Sequence, residues 1–362
     1  MKIIDYEKAC TTEYFMPEYY SQFYPEAKML FFDIETTGFA AKNTTLYLIG
    51  VLWYEKDNLY IRQWFNEDGK SEKEILSAFQ EFCQNFTHLV HFNGSGFDLP
   101  YLRQKANLLN ISFTADSALQ QIDIFKEIRS YKKIFSLENM KQVTIEQFLG
   151  MKREDTYNGG ELINVYQRYA ASPDDHKEHI LLLHNHDDLL GMPKISQILN
   201  YKAFMEQSEP RNIAIKEDGN VLTIHFQVNR YAFLPKRINT TKNGIYLNAM
   251  EQDGLLQIPI FTSTLKHFFS DYKNYYYLPK EDMAIHKSVA AYVESDHKIK
   301  ATKSTCYIKK TDAFIPCLFS SHTETFQNAP EDKTVFVTKD CLLQGNTALQ
   351  TQYILHALRT FL

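Results

Sequence analysis

Apolar runs of strand length alternate along the chain with stretches of helical spacing. Residues 29–32 are continuously apolar and end in Asp33-Ile34-Glu35. Two further runs, 45–54 (TLYLIGVLWY) and 59–65 (LYIRQWF), follow the turn-like Thr37-Gly38 and Lys56-Asp57-Asn58. Short runs bounded by such residues read as strands, and the short connections predict an antiparallel meander. The pattern then changes. Over 71–86, Ile75, Leu76, Phe79, Phe82 and Phe86 recur at helical spacing. Residues 88–92 read as a short buried strand, 97–107 as a helix and 121–125 as another strand, with helices dominating from Ser136 to about Phe204.

Residues 1–27 are polar and aromatic, which predicts a helical lead-in packed outside the first domain. Ser208-Glu209-Pro210-Arg211-Asn212 reads as a boundary, giving a first domain over 28–207 and a smaller α+β domain over 208–362. In the latter, 212–216 and 221–229 flank Glu217-Asp218-Gly219-Asn220, a hairpin signal. Residues 281–294 predict a helix, 301–309 and 314–319 a second hairpin, and 350–362 a closing helix. A length of 362 residues accommodates about two domains.

Charge adds an asymmetry. From residue 210 onward the chain carries 18 Lys+Arg against 14 Asp+Glu, leaving 21 against 30 in residues 1–209. An acidic first half argues against a broad electrostatic grip on a duplex by that half alone and suits cation binding. Within 286–310, Lys287, Lys298, Lys300, Lys303, Lys309 and Lys310 face only Glu294 and Asp296, just downstream of Tyr275, Tyr276 and Tyr277. That segment reads either as a guide for a nucleic-acid strand or as a solvated face with tyrosines packed beneath it. The five cysteines show no CxxC spacing, and Cys306 and Cys317 are placed to face each other, reduced, across the second hairpin. No stretch of about 18 apolar residues predicts a membrane span, no apolar core of a signal peptide opens the chain, and the expected location is cytoplasmic.

The candidate chemistry lies in carboxylates. Asp33 and Glu35, one residue apart on a strand, project to the same face. Two like charges so close are either solvated at a strand end or partnered by a divalent metal. Downstream, HFNGSGFDLPYL (91–102) places Asp98 in the first turn of a helix. There it reads as favourable helix-start chemistry or as a third acid aimed at the same site. In LLLHNHDDLLGM (181–192), His184 and Asp188 stand four residues apart on one helix face, inside an otherwise apolar helix, while His186 and Asp187 point elsewhere.

The order Asp33-x-Glu35, Asp98, His184-x-x-x-Asp188 resembles that of the DEDD superfamily of 3′→5′ exonucleases, which have an RNase H-like fold. The resemblance is strongest to the YprB-like branch. FFDIETTG, HFNGSGFDLP, IDIF at 122–125, SLEN at 136–139, GGELINVYQRY at 159–169 and the Asn-x-x-Asp close of HNHDD carry it, over about residues 28–205. It implies an α/β, RNase H-like domain with a mixed sheet, followed by the smaller α+β domain.

The resemblance further implies a two-metal phosphodiester hydrolase using Mg²⁺ or Mn²⁺, acting on DNA or RNA with a single-stranded 3′ end. Asp33, Glu35, Asp98 and Asp188 would be the metal ligands, and His184 would orient or deprotonate the attacking water. Thr36, Thr37, Gly38 and Asn93 would lie against the terminal nucleotide. The superfamily places before the last acid either Tyr with three residues between, or His with four residues between. This chain has His at the tyrosine spacing, which leaves the role of His184 open and the four acids intact. The alternative reading is a catalytically inert RNase H-like module that binds nucleic acid or protein.

Overall fold

The computed structural model describes residues 1–11, 15–153, 157–319 and 324–362. The chain divides into two compact units, Met1–Ala203 and Phe204–Leu362.

The first unit is built on a six-stranded mixed sheet. Its strands are β1 (Lys2–Ala9), β2 (Met29–Thr36), β3 (Leu46–Glu55), β4 (Asn58–Phe65), β5 (His88–His91) and β6 (Gln120–Asp123), in the spatial order β1-β4-β3-β2-β5-β6. β2, β3 and β4 form the expected antiparallel meander, and β5 and β6 join parallel to β2 and to each other. Alternation along β2 sorts its residues by face. Leu30, Phe32 and Ile34 enter a core with Ile75, Leu76 and Phe79 of the helix Glu72–Cys83 and Leu99 and Leu102 of the helix Asp98–Leu108. Burial of each such side chain contributes about 1.5–3 kcal/mol. On the other face, Tyr47, Leu48 and Phe65 pack with Leu162 and Tyr166 of the helix Gly159–Ala171 and with Leu181 of the long helix Asp175–Ile195. Asp33 and Glu35 lie on that second face, under the long helix.

The N-terminal segment differs from expectation. Residues 2–9 are not a helical lead-in outside the domain but the edge strand β1, antiparallel to β4; among the described residues of 1–27, only Glu18–Phe23 is helical. β1 is largely exposed, so it lacks the apolar alternation by which strands are read. It is held by its ladder and by cross-strand polar pairs: the Arg62 guanidinium donates to both oxygens of Asp5, at 2.6 and 2.8 Å, and Tyr60 donates to Glu7 at 3.0 Å.

The second unit holds a five-stranded antiparallel sheet of β7 (Arg211–Asp218), β8 (Val221–Gln227), β9 (Leu234–Lys242), β10 (Ile245–Glu251) and β11 (Asp253–Pro259), in the order β7-β8-β11-β10-β9. The β7–β8 hairpin is the one expected. Two three-stranded sheets follow. One pairs β12 (Phe261–Phe268) with β16 (Tyr307–Pro316) and β17 (Phe336–Thr338); the other joins β13 (Tyr275–Leu278), β14 (Met283–His286) and β15 (Ile299–Lys300). A helix Thr347–Thr360 closes the chain.

Two expectations fail here. Residues 281–294 form β14 and only one helical turn, Lys287–Ala290. The second hairpin is a single strand, β16, because Thr311 and Asp312 continue the ladder with β12, with a hydroxyl–hydroxyl contact of 2.6 Å between Thr264 and Thr311. Cys306 and Cys317 therefore flank the two ends of a ten-residue strand, roughly 36 Å apart at ~3.3 Å per residue, and both are free thiols.

The lysines of 286–310 are largely committed within the fold. Lys298 donates to the Val293 carbonyl at 2.7 Å, Lys309 pairs with Asp282, and Lys310 pairs with Asp312 at 3.1 Å. Tyr275 stacks on Phe269, and Tyr277 donates to Asp282 at 2.6 Å. The half-buried tyrosines of β13 thus pack beside a charged face. No helix among the described residues is long and apolar enough to cross a membrane.

Candidate active site

Three chain segments deliver the acids. β2 carries Asp33 and Glu35 to its tip on the face covered by the long helix. The strand β5 ends at His91, and a tight turn leads into the helix that begins at Asp98. Asp123, at the end of β6, shapes that turn: its carboxylate accepts from the Asn93 amide at 2.9 Å and the Ser95 amide at 3.2 Å, and it caps the following helix through the Lys126 amide. The left-handed residue of the turn is Asn93, with φ 62°, rather than a glycine. The third segment is the long helix with His184, Asn185 and Asp188.

The long helix can lie close to the sheet because β3 offers Gly50 opposite Asp33. A Cβ at Gly50 would fall 1.9 Å from Asn185 Oδ1 and 2.7 Å from Leu189 Cδ1. Into that space fits a buried amide relay. Gln63 Nε2 donates to Asn185 Oδ1 at 2.9 Å and to the Leu182 carbonyl at 2.9 Å, and Asn185 Nδ2 donates to Asp33 Oδ2 at 2.9 Å. The Tyr47 hydroxyl donates to Glu35 Oε2 at 3.2 Å. His184 Nε2 lies 3.7 Å from Glu35 Oε1 and 3.5 Å from Asp188 Oδ2. Asp188 is also paired with Arg153, which holds Glu146 as well.

All five residues singled out for chemistry thus converge. One side-chain atom each of Glu35, His184 and Asp188 forms a group within 4.8 Å of one another. Burial, reinforced by the charges of Asp188, Glu35 and Asp98, pushes the Asp33 carboxyl well above the usual range, against the Asn185 hydrogen bond. Burial raises Glu35 to about 7, with His184 opposing it. Asp98 is likewise raised to about 7 by burial, while its own amide and that of Ile34 oppose the shift. Asp188 is raised by burial and held back chiefly by Arg153.

The donor set fits hard divalent cations. It is dominated by carboxylate oxygens, is enclosed, and sets four acids against one histidine and one arginine shared with Glu146. Such a cluster is relieved by cations that favour the ionised acids.

The residues expected against a substrate flank this cluster. At the end of β2, Thr36 Oγ1 donates to the Gly38 carbonyl at 2.9 Å, and Thr37 Oγ1 accepts from the Thr45 amide at 2.8 Å. The Thr36 O–H is spent on the turn, whereas Thr37 only accepts, so the turn offers a ligand its backbone and the Thr37 O–H. Asn93 is exposed. His186 points away from the acids and packs on Tyr6, ring centroids 4.9 Å apart.

Reading the sequence did not single out Tyr47, Gln63, Glu146, Arg153 or Phe39. Phe39 follows Gly38, is 89% exposed, and meets Phe97 edge-on at 5.6 Å. An isolated aromatic directly after a Gly turn is the one available signal among these. The others carry none, since each acts on a residue outside its own helix or strand.

Residues 30–200 match the model of a family described as the RNase_H superfamily, and the mixed sheet of the first unit is an RNase H-like α/β fold. No curated protein matches the sequence.

Among solved structures, the chain is similar to a family B DNA polymerase from the hyperthermophilic archaeon Pyrobaculum calidifontis (14% identity, TM-score 0.42, covering 69% of this chain and 35% of that one). It is also similar to exonuclease I (11% identity, TM-score 0.29, covering 56% of this chain and 55% of that one). E. coli Exonuclease I in complex with a dA16 oligonucleotide matches at 10% identity, with a TM-score of 0.28 and coverage of 56% of this chain and 55% of that one. The chain thus spans between about a third and about half of the length of these proteins.

Proposed function

We propose that the first unit is a metal-dependent 3′→5′ exonuclease of the DEDD type, which hydrolyses phosphodiester bonds at single-stranded nucleic-acid ends and releases nucleoside 5′-monophosphates. The observation that carries this reading is the convergence of Asp33, Glu35, Asp98 and Asp188, from three separate segments, with His184 Nε2 between two of them. The family match over the same residues supports it.

Asp33, Glu35, Asp98 and Asp188 would hold two divalent ions, Mg²⁺ or Mn²⁺. When bound, such ions neutralise charge on the scissile phosphate and acidify the attacking water. The protein's part is orientation and proton handling. Asn185 fixes one oxygen of Asp33 and Tyr47 one oxygen of Glu35, leaving the other oxygens for ligation. His184, with Nε2 unprotonated, takes the proton of the attacking water, and the departing 3′-oxygen is protonated from solvent. The backbone of Thr36-Thr37-Gly38 and the side chain of Asn93 bind the terminal nucleotide.

The experiment is a panel of end-labelled single- and double-stranded DNA and RNA, blocked at either end, with Mg²⁺, Mn²⁺ or chelator. The proposal expects metal-dependent shortening that a 3′ block prevents and a 5′ block does not. Absence of hydrolysis on every substrate, with no thermal stabilisation by Mn²⁺, would instead favour an inert binding module.

A further inference from the structure

Arg153 lies beyond the helix Gln142–Phe148, outside every motif of the acid cluster, yet it is held from two sides. Its Nη2 donates to Glu146 Oε1 at 2.8 Å and its Nε pairs with Glu146 Oε2, while Nη2 also pairs with Asp188 Oδ1. Gln142 reinforces the arrangement: its Nε2 donates to Asp188 Oδ1 at 3.2 Å, to the Asp188 carbonyl at 3.1 Å and to Glu146 Oε1 at 3.1 Å. Two donors therefore engage Oδ1 of Asp188, and Oδ2 is the oxygen turned toward His184, at 3.5 Å.

Glu146 is only 2% exposed and fits because residue 191, one turn after Asp188, is glycine. A Cβ there would lie 2.7 Å from Glu146 Oε1. Glu146 serves a purpose beyond packing. A lone arginine beside an acid cluster would repel a bound cation, whereas an arginine neutralised by its own carboxylate brings a rigid fork of donors with little net charge.

We propose that Arg153 is a positioning residue for Asp188: by engaging Oδ1 from a neutralised Arg153–Glu146 pair, it presents Oδ2 to a divalent cation beside Glu35 and His184. The inference rests on the metal-dependent reading of this site. It adds a residue that touches neither the substrate nor the metal but sets the affinity for the metal. Groups that orient metal ligands in this way typically change metal affinity or activity by about 10–100-fold when removed.

The test is Mn²⁺ binding to the full chain without nucleic acid, by calorimetry at fixed pH, paired with steady-state hydrolysis of a labelled single strand. Arg153→Gln leaves Glu146 buried and unpaired, which can unfold the protein. The deciding variant is therefore Arg153→Gln combined with Glu146→Gln, which removes the buried charge at 146 together with its partner and leaves Asp188 with Gln142 and His184. The proposal expects this double variant to remain folded in chelator and to bind Mn²⁺ about 10–100-fold more weakly. It also expects kcat to be lowered at limiting Mn²⁺ and largely recovered at saturating Mn²⁺, with KM for the oligonucleotide changed by less than about twofold. Arg153→Lys, which keeps the charge and loses the fork, should not restore the affinity. A double variant that binds Mn²⁺ like the parent would overturn the proposal, since Arg153 would then serve only to neutralise Glu146. Asp33→Ala separates this failure from that of the underlying reading. If the parent binds Mn²⁺ and Asp33→Ala does not, the metal site stands whatever Arg153 does. If Asp33→Ala binds like the parent, both readings fall.

Discussion

Asn185 Nδ2 donates to Asp33 Oδ2 at 2.9 Å, joining the middle of the long helix to the tip of the central strand across 152 residues of chain. Asn185 is fully buried and receives a hydrogen bond in turn from Gln63. One amide therefore ties the long helix to the acid at the centre of the cluster and, through Gln63, to β4. Replacing Asn185 by Ala removes a partner from both Asp33 and Gln63. The expected loss of stability is roughly 1–3 kcal/mol, the cost of leaving a buried polar group unsatisfied. Chemical denaturation checks it, and Mn²⁺ affinity should fall about 10–100-fold in the same variant.

Gly50 makes that contact possible. Gly50→Ala would place a methyl group 1.9 Å from Asn185 Oδ1, forcing the long helix away from β3. Overpacking of this kind costs about 1–3 kcal/mol. Thermal denaturation should show the loss, and hydrolysis should fall further than stability alone explains, because His184, Asn185 and Asp188 ride on the displaced helix.

The raised carboxyls set a pH dependence with a definite sign. Glu35 and Asp98 titrate at about 7 in the folded, metal-free protein, against roughly 4.3 and 3.9 when unfolded. Between those limits the folded state binds more protons than the unfolded one, so stability falls as pH rises. In chelator, this contribution is fully present below about pH 4 and is lost as pH rises through about 7. Metal binding requires the ionised acids, so Mn²⁺ stabilisation should grow over the same interval. Thermal midpoints at pH 5, 6, 7 and 8, with Mn²⁺ and with chelator, should therefore diverge as pH rises. A constant gap would contradict the assignment of these acids as ligands.

Phe39 stands almost fully exposed beside the turn that follows Glu35. If a terminal base stacks on it, Phe39→Ala should weaken oligonucleotide binding by roughly 1–3 kcal/mol, seen as a higher KM. Mn²⁺ binding and thermal stability should remain those of the parent, since the ring buries little of the core.

The meander β2–β4 and the helix Glu72–Cys83 were legible because one face of each is apolar and the period shows directly. The convergence of the five chemical residues was legible from a family resemblance in motif order, not from spacing alone. What escaped did so for physical reasons. β1 is an exposed edge strand whose pairing with β4 rests on backbone bonds and on pairs such as Asp5–Arg62, which leave no apolar alternation. The strand β16 runs through Thr311-Asp312, a pair that reads as a turn until β12 supplies its ladder. Gln63, Tyr47 and Arg153 reach the acids from other elements, and no local pattern marks a polar residue whose partner lies far along the chain.

The most direct measurement compares the parent and Asp33→Ala on a 5′-labelled single strand with Mn²⁺, with folding followed in parallel by circular dichroism. The account expects stepwise shortening from the 3′ end by the parent. In Asp33→Ala it expects hydrolysis and Mn²⁺-dependent stabilisation to be lost while the fold is retained. Full hydrolysis by a folded Asp33→Ala protein would contradict it.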